Sequence, residues 1–176
     1  CWLTLNLPPP TQLQYDIARY LSNNIKSKII QAFRGCGKTW ITASYVCWRL
    51  HLNPNEKILI VSASKEKALE IANFIKRLIS EMEVLKPLKP NPRDNNRDAV
   101  SAFDVAGCKI SPAPSVKVCG IFGQITGSRA TIIIADDIET SENCRSEEMR
   151  QKISNAVTEF DNVIVPESNE IIYLGT

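Results

Sequence analysis

The chain has a single histidine, His51, among 176 residues, which excludes metal chemistry built on several imidazoles. Its six cysteines (Cys1, Cys36, Cys47, Cys108, Cys119 and Cys144) contain no C-x-x-C pair and no regular spacing. That leaves no zinc site and no disulfide framework, so reduced thiols in a cytosolic compartment are expected. No apolar run approaches the roughly 20 residues of a membrane helix, and no signal peptide is visible. No membrane partner is therefore expected. A dominant charge is missing too, because the formal net charge of +2 neither demands nor excludes nucleic acid. Repeats and low-complexity tracts are absent.

What is present is ordinary globular composition, 44% hydrophobic and 23% charged. A chain of this length buries one sizeable core more readily than two. It begins abruptly at Cys1 and stops at Gly175-Thr176 just after an apolar strand, so residues 1–176 are expected to be one domain of something longer. Strands and helices alternate. The triple proline Pro8-Pro9-Pro10 leads into a helix over Thr11 to Ser22. A strand is predicted over Lys28 to Phe33, a helix over Lys38 to His51 and a buried strand over Lys57 to Ser62. Apolar residues at helical period (Ala68, Ile71, Ala72, Ile75, Leu78, Ile79) predict a helix over Ser64 to Met82. A Pro/Asn/Arg-rich loop covers Lys86 to Asp98, and Ser101 to Ile121 reads as short strand pieces. A buried strand over Thr131 to Ala135, a helix from Ser146 to about Phe160 and a strand over Ile171 to Leu174 complete the pattern. The expected fold class is a three-layer α/β sandwich around a mostly parallel sheet.

The run Ala32-Phe33-Arg34-Gly35-Cys36-Gly37-Lys38-Thr39 lies between a strand and a helix, where a phosphate-binding loop belongs. Backbone N–H groups of such a loop surround a polyphosphate at the N-terminus of the following helix. Lys38 would reach the β- and γ-phosphates of ATP, and the Thr39 hydroxyl would hold Mg²⁺. The motif usually opens with glycine. Position 32 is alanine, which disfavours positive φ, so the first turn is expected to differ slightly. The bland alternative is a glycine-rich turn capping a helix, with Lys38 exposed.

A second run, Ile132-Ile133-Ile134-Ala135-Asp136-Asp137, reads as a strand buried on both faces that ends in two acids. Ligands of parallel sheets bind beyond the carboxyl ends of the strands, so these acids should fall near the phosphate loop. Asp136 is the expected Mg²⁺ acid, and Asp137 the expected base for the attacking water. An aspartate pair capping the next turn is the alternative. About a hundred residues separate Lys38 from Asp136. That spacing leaves room for an intervening strand–helix unit, as in motor ATPases that insert a strand between the two motifs and carry a second acid.

The segments LPPPTQLQYDIARYL, QAFRGCGKTWI, KILIVSASKEKA, FGQITGSRATIIIADDIE and IIYLGT together resemble the ATPase half of the tailed-phage large terminases, and among them the DNA maturases of short-tailed podoviruses. The resemblance spans essentially the whole chain. It implies a P-loop NTPase of the additional-strand, catalytic-acid type that uses ATP and Mg²⁺ to drive double-stranded DNA into a procapsid. It also implies contacts to the DNA backbone without base reading, partnership with a portal ring and a small terminase subunit, and a homo-oligomeric ring when assembled. Residence in the host cell cytoplasm, transiently on the procapsid, is implied as well. A nuclease domain follows in that family, and its acids are not expected in this chain.

Residue by residue, the resemblance places an adenine-reading glutamine at Gln14, with Gln12 as its neighbour and an exposed helix glutamine as the plain alternative. It makes Arg34 a charge-stabilising arginine within the loop. Asp136 and Asp137 become the metal acid and the catalytic acid. The family usually has glutamate at the second position, so Glu139 competes with Asp137 for the role of base. Gly175 and Thr176 fall in a segment resembling the family's coupling motif. Where many members carry an arginine before a glycine, this chain has Thr126. Arg129 is the expected substitute, acting on a neighbouring subunit's site, unless it pairs with a carboxylate of its own subunit.

Lys86, Lys89, Arg93 and Arg97 cluster in one loop that either tracks DNA phosphates or simply faces water, diluted by Asp94 and Asp98. Ser64-Lys65 is a second candidate backbone contact. Two other readings stay open. A superfamily-two helicase-like translocase would show a DEAD-like run in place of Asp136-Asp137-Ile138-Glu139, and a degenerate scaffold would lack Lys38, Thr39 or Asp136.

Overall fold

A computed structural model of the chain describes residue 2 and residues 4–90, 96–166 and 170–176. In chain order the elements are α1 (Gln12–Leu21), β1 (Ser27–Gln31), α2 (Lys38–Leu52), β2 (Ile58–Ser62), α3 (Lys65–Glu81) and a 3₁₀ turn (Glu83–Leu88). They continue with β3 (Asp98–Ala99), β4 (Ala102–Phe103), β5 (Val116–Gly120), β6 (Ile132–Asp136), α4 (Glu147–Thr158), α5 (Phe160–Val163) and β7 (Glu170–Gly175). The strands form one sheet in the order β1-β7-β6-β2-β5-β4-β3. The first five run parallel, and the short β4 and β3 join antiparallel.

Helix starts follow their caps. Thr11 and Gln14 form a reciprocal capping box at α1, and the Ser64 and Ser146 hydroxyls accept N–H bonds from Lys67 and Met149. The expected helix from Ser146 to about Phe160 is two pieces, with the chain re-forming at Phe160. The loop expected from Lys86 begins inside the 3₁₀ turn and ends on β3, and Arg93 lies outside the described residues.

Both faces of the sheet are covered, which gives three layers. Ile58, Ile60, Ile132 and Ile134 alternate onto the face packed by α1, α2 and α3. Leu59, Val61, Ile133 and Ala135 face α4 and α5. This two-sided burial explains the unbroken apolar runs of β2 and β6, all of whose residues are buried. β1, at the sheet's end, keeps only alternate residues buried and leaves Ile29 73% exposed.

The strand between β1 and β6 is β7, hydrogen-bonded to both. The units that separate the two motifs in sequence, β2-α3 and β5, lie on the far side of β6. The inserted strand is therefore the last in the chain rather than one from the intervening stretch, a point that motif spacing does not carry.

Candidate nucleotide-binding site

The candidate phosphate loop leaves the end of β1 and enters α2. Ala32 extends the ladder by donating its N–H to the Gly175 carbonyl (3.1 Å). Position 32 is not among the residues with positive φ, whereas Gly35 (+84°) and Gly37 (+88°) are. The loop thus demands glycine where glycine stands, and Ala32 fits without strain. At Gly37 the positive φ sets the requirement, and a Cβ there would also lie 2.9 Å from the Gln14 side-chain amide and displace it.

That amide ties α1 to the loop. Gln14 Nε2 donates to the Cys36 carbonyl (2.9 Å), and its Oε1 accepts from the Thr11 N–H (2.8 Å). One N–H and one lone pair remain for a ligand. Gln12 instead donates to Asp16 (2.9 Å) on its own helix. A largely apolar cavity of about 380 Å³ between α1 and α2 adjoins Gln14 and is lined by Trp2, Tyr15, Ile41, Tyr45 and Trp48. In the loop, Cys36 is buried, while Phe33, Arg34, Gly35 and Thr39 are exposed.

Lys38 is buried rather than exposed (7%). Its Nζ donates to the Ala32 carbonyl (2.7 Å) and the Thr176 hydroxyl (3.2 Å). The Thr176 hydroxyl in turn donates to Asp137 Oδ1 (2.9 Å). The phosphate-loop lysine, the end of β7 and the second acid of β6 are therefore one chain of contacts. Asp137 reaches it by leaving the strand with φ +43°, its N–H donating to Leu174 (2.8 Å). Aspartate tolerates that left-handed turn better than most residues. The backbone bend brings the short carboxylate to the Thr176 hydroxyl that Lys38 also contacts, whereas Glu139 stands exposed two residues on.

Asp136 is buried (7%). Burial, then the neighbouring charge of Asp137, pushes its pKa up to about 6, with Lys38 and Lys67 pulling the other way. Two carboxylates crowded at one strand end, one of them desolvated, suit a hard divalent cation. Two residues here escaped the sequence reading. Ser62, buried at the end of β2, pairs in register with Asp136, and its signal was a lone polar residue closing an apolar run. Lys67, in the first turn of α3, bears on Asp136, and nothing in its local pattern marked it.

Arg129 is exposed and precedes β6, at the edge where the parallel strands begin, opposite the phosphate loop. Among the described residues it makes no ion pair, so the same-subunit carboxylate is not found there. The basic loop needs correction. The Arg97 guanidinium binds Asp104 (2.8 Å) and the carbonyls of Ser111 (2.7 Å), Pro112 (2.6 Å) and Ala113 (3.1 Å). Burial of Asp104 works against its charge, but these bonds from Arg97 outweigh it and hold the carboxyl low. Arg97 is a structural clamp, Lys86 pairs with Glu83 (2.5 Å) and Asp98 with Lys76 (2.5 Å). Lys89 stays exposed. Ser64 and Lys65 border a separate cleft of about 530 Å³, together with Lys117, Phe122 and Gln124. No described helix is long and apolar enough to cross a membrane.

The fold is shared with solved phage proteins at low identity. The N-terminal domain of the DNA packaging ATPase from bacteriophage phi29 superposes with a TM-score of 0.60 at 16% identity, covering 93% of this chain and 79% of that one. The HK97 bacteriophage large terminase gives 0.56 at 19%, covering 94% of this chain and 33% of that one. The large terminase subunit of Enterobacteria phage T3 is 49% identical over 177 residues, covering 99% of this chain and 30% of its own length. The chain thus spans about a third of that relative. A family model described as terminase large subunit, T4likevirus-type, N-terminal, matches residues 29–165. The chain belongs to the terminase large-subunit family.

Proposed function

We propose that this chain is an ATP-hydrolysing motor domain that drives double-stranded DNA into a viral procapsid. The observation carrying the proposal is the contact chain Lys38–Thr176–Asp137, which joins the phosphate loop, the acidic strand and the end of β7. Backbone N–H groups of residues 33–39 and the Lys38 ammonium hold the phosphates, and the free N–H and lone pair of Gln14 read the adenine edge. Asp136 and Thr39 would supply oxygens to Mg²⁺, which when bound would neutralise charge on the β- and γ-phosphates. Asp137 orients the attacking water and accepts its proton. Arg34, exposed within the loop, stabilises charge on the transferring phosphoryl group.

When Lys38 turns to the phosphates, Thr176 loses a partner, so nucleotide state is transmitted to β7. That is the route by which hydrolysis becomes movement. The backbone of the DNA is gripped at the Ser64-Lys65 cleft, without base reading. Arg129, remote from its own loop, acts on a neighbouring subunit in a homo-oligomeric ring. The ring works with a portal and a small terminase subunit in the host cytoplasm, transiently on the procapsid. No observation favours a helicase-like translocase. Calorimetry with a non-hydrolysable ATP analogue tests the core of the proposal. Mg²⁺-dependent binding is expected, and Lys38→Ala should abolish it. Undiminished affinity in a folded Lys38→Ala protein would overturn the assignment.

A further inference from the structure

We propose that the loop from Gly107 to Ser115 is a docking hook for a second copy of this chain. Ile110 is its apolar anchor, and the neighbour's phosphate-loop edge around Phe33 is its seat. The inference rests on the reading of Arg129 as acting across a subunit boundary.

Ile110 is fully exposed (106%), more than any other large apolar side chain described. The segment that carries it is nonetheless built rather than slack. Arg97 holds the carbonyls of Ser111, Pro112 and Ala113, and Asp104 anchors Arg97 while also accepting from the Ser115 N–H (3.1 Å). The Lys109 N–H donates to Asn55 (2.9 Å), and Ala113 to the Ser111 hydroxyl (3.2 Å). Pro112 and Pro114 restrict the backbone further. A side chain presented to water on so fixed a support loses little conformational freedom on binding, which is what an interface anchor requires.

The hook and Arg129 share one edge. Ile58, the first residue of β2, donates to the Ser115 carbonyl (2.9 Å), and Thr131, just before β6, donates to that of Lys57 (2.7 Å). A small cavity of about 150 Å³ is lined by Pro112, Ala113 and Pro114 on one side and Gly127, Ser128 and Arg129 on the other. The two features therefore form a continuous surface at the start of the parallel strands. The phosphate loop stands at their far end, roughly 16 Å away for five-residue strands. One copy cannot bring Ile110 or Arg129 to its own loop.

The far edge complements this surface. Phe33 is 66% exposed within the phosphate loop, and Asp137, Glu139 and Glu142 lie beyond β6 on the same edge, facing a partner that brings Lys109 and Arg129. Two different patches on opposite edges of one chain associate head to tail, the arrangement that forms a ring when the rotation between copies closes and a filament when it does not. The hook would set the depth and angle of docking, and Arg129 would then enter the neighbour's site in register.

A photo-crosslinking amino acid placed at position 110 of the intact chain tests this, with Mg²⁺ and a non-hydrolysable ATP analogue at the highest soluble concentration. Crosslinks to residues 32–40 of a second copy are expected. Links only within one chain, only between two hooks, only to another macromolecule, or none at all, would overturn the proposal. Ile110→Asp should weaken self-association about tenfold or more, as loss of an interface anchor does, and leave the thermal midpoint and ATP affinity unchanged. Undiminished association would also overturn it. Arg129→Ala separates the hook from the reading beneath it. Retained crosslinks with unchanged hydrolysis would remove the arginine's role and leave the hook standing.

Discussion

At the scale of single residues, backbone geometry supports Asp137 over Glu139 as the proposed base. The positive φ at Asp137 turns its carboxylate to Thr176 and thence to Lys38, while Glu139 stays on the surface. Asp137→Asn is expected to keep ATP binding and lower hydrolysis by roughly 10²-fold or more, the scale of a lost general base. Glu139→Gln should change little, and steady-state hydrolysis beside equilibrium binding distinguishes the two. The reverse pattern would move the base to Glu139. Asp136 carries a different prediction, because its shift opposes the usual one for a paired carboxylate. Burial first, and Asp137 second, raise its folded pKa to about 6, above the ~3.9 of an unfolded aspartate. The folded chain then holds the proton more tightly than the unfolded one. Its favourable contribution is complete below pH ~4 and is lost as pH rises through about 6. Asp136→Asn should therefore stabilise the nucleotide- and metal-free chain at pH 7 by ~1–3 kcal/mol, with the gain shrinking towards pH 4. Urea midpoints at the two pH values measure this, and equal shifts at both would refute it.

At the scale of elements, β7 is held at both ends. Thr176 meets Lys38 and Asp137 at the nucleotide edge. At the other edge Glu170 receives Lys28, Arg49 and the Tyr45 hydroxyl (2.6 Å), and Arg49 also binds Glu56 (2.7 Å). The helix that begins with Lys38 therefore grips the inserted strand through Tyr45 at its middle and Arg49 in its last turn as well as by its first residue. Glu170→Ala would leave Lys28, 1% exposed, as a buried charge without its carboxylate. A loss of about 3–5 kcal/mol is expected, the usual cost of breaking such a pair, read from the urea midpoint. A loss below about 1 kcal/mol would mean the network behaves like a surface pair. Much of this layer was legible in the sequence. The triple proline ahead of α1 and the helical period of α3 place those helices within a residue or two, and the two-sided apolar runs mark β2 and β6. The insertion of β7 beside β1 was not legible, since strand order is a tertiary choice that no local pattern records. Nor was the role of Arg97, because a polar loop has the same composition whether it is solvated or clamped. The buried Lys28 was hidden too, its partner lying 142 residues away.

At the scale of the whole molecule, the parallel sheet separates the features that the proposed ATPase site calls for. The phosphate loop, Asp136 and Asp137 gather where the strands end, and Arg129 stands where they begin, with no ion pair among the described residues. A single chain should therefore bind ATP yet hydrolyse it slowly, because charge on the transferring phosphoryl group lacks one cation. In other phosphate-loop enzymes an arginine supplied in trans is worth about 10³ to 10⁵ in rate. The decisive measurement mixes two inactive proteins in the assembled motor. Arg129→Ala keeps its acids and Asp137→Asn keeps its arginine, so neither homogeneous ring has a complete site. In a mixed ring, some boundaries pair an intact Asp137 on one subunit with an intact Arg129 on the next. Partial hydrolysis should return there, rising and falling with the mixing ratio and greatest near equal amounts. If verified mixed rings stay inactive, Arg129 does not complete a neighbour's site, and Arg34, already inside the phosphate loop, is left as the one arginine proposed to stabilise the transition state.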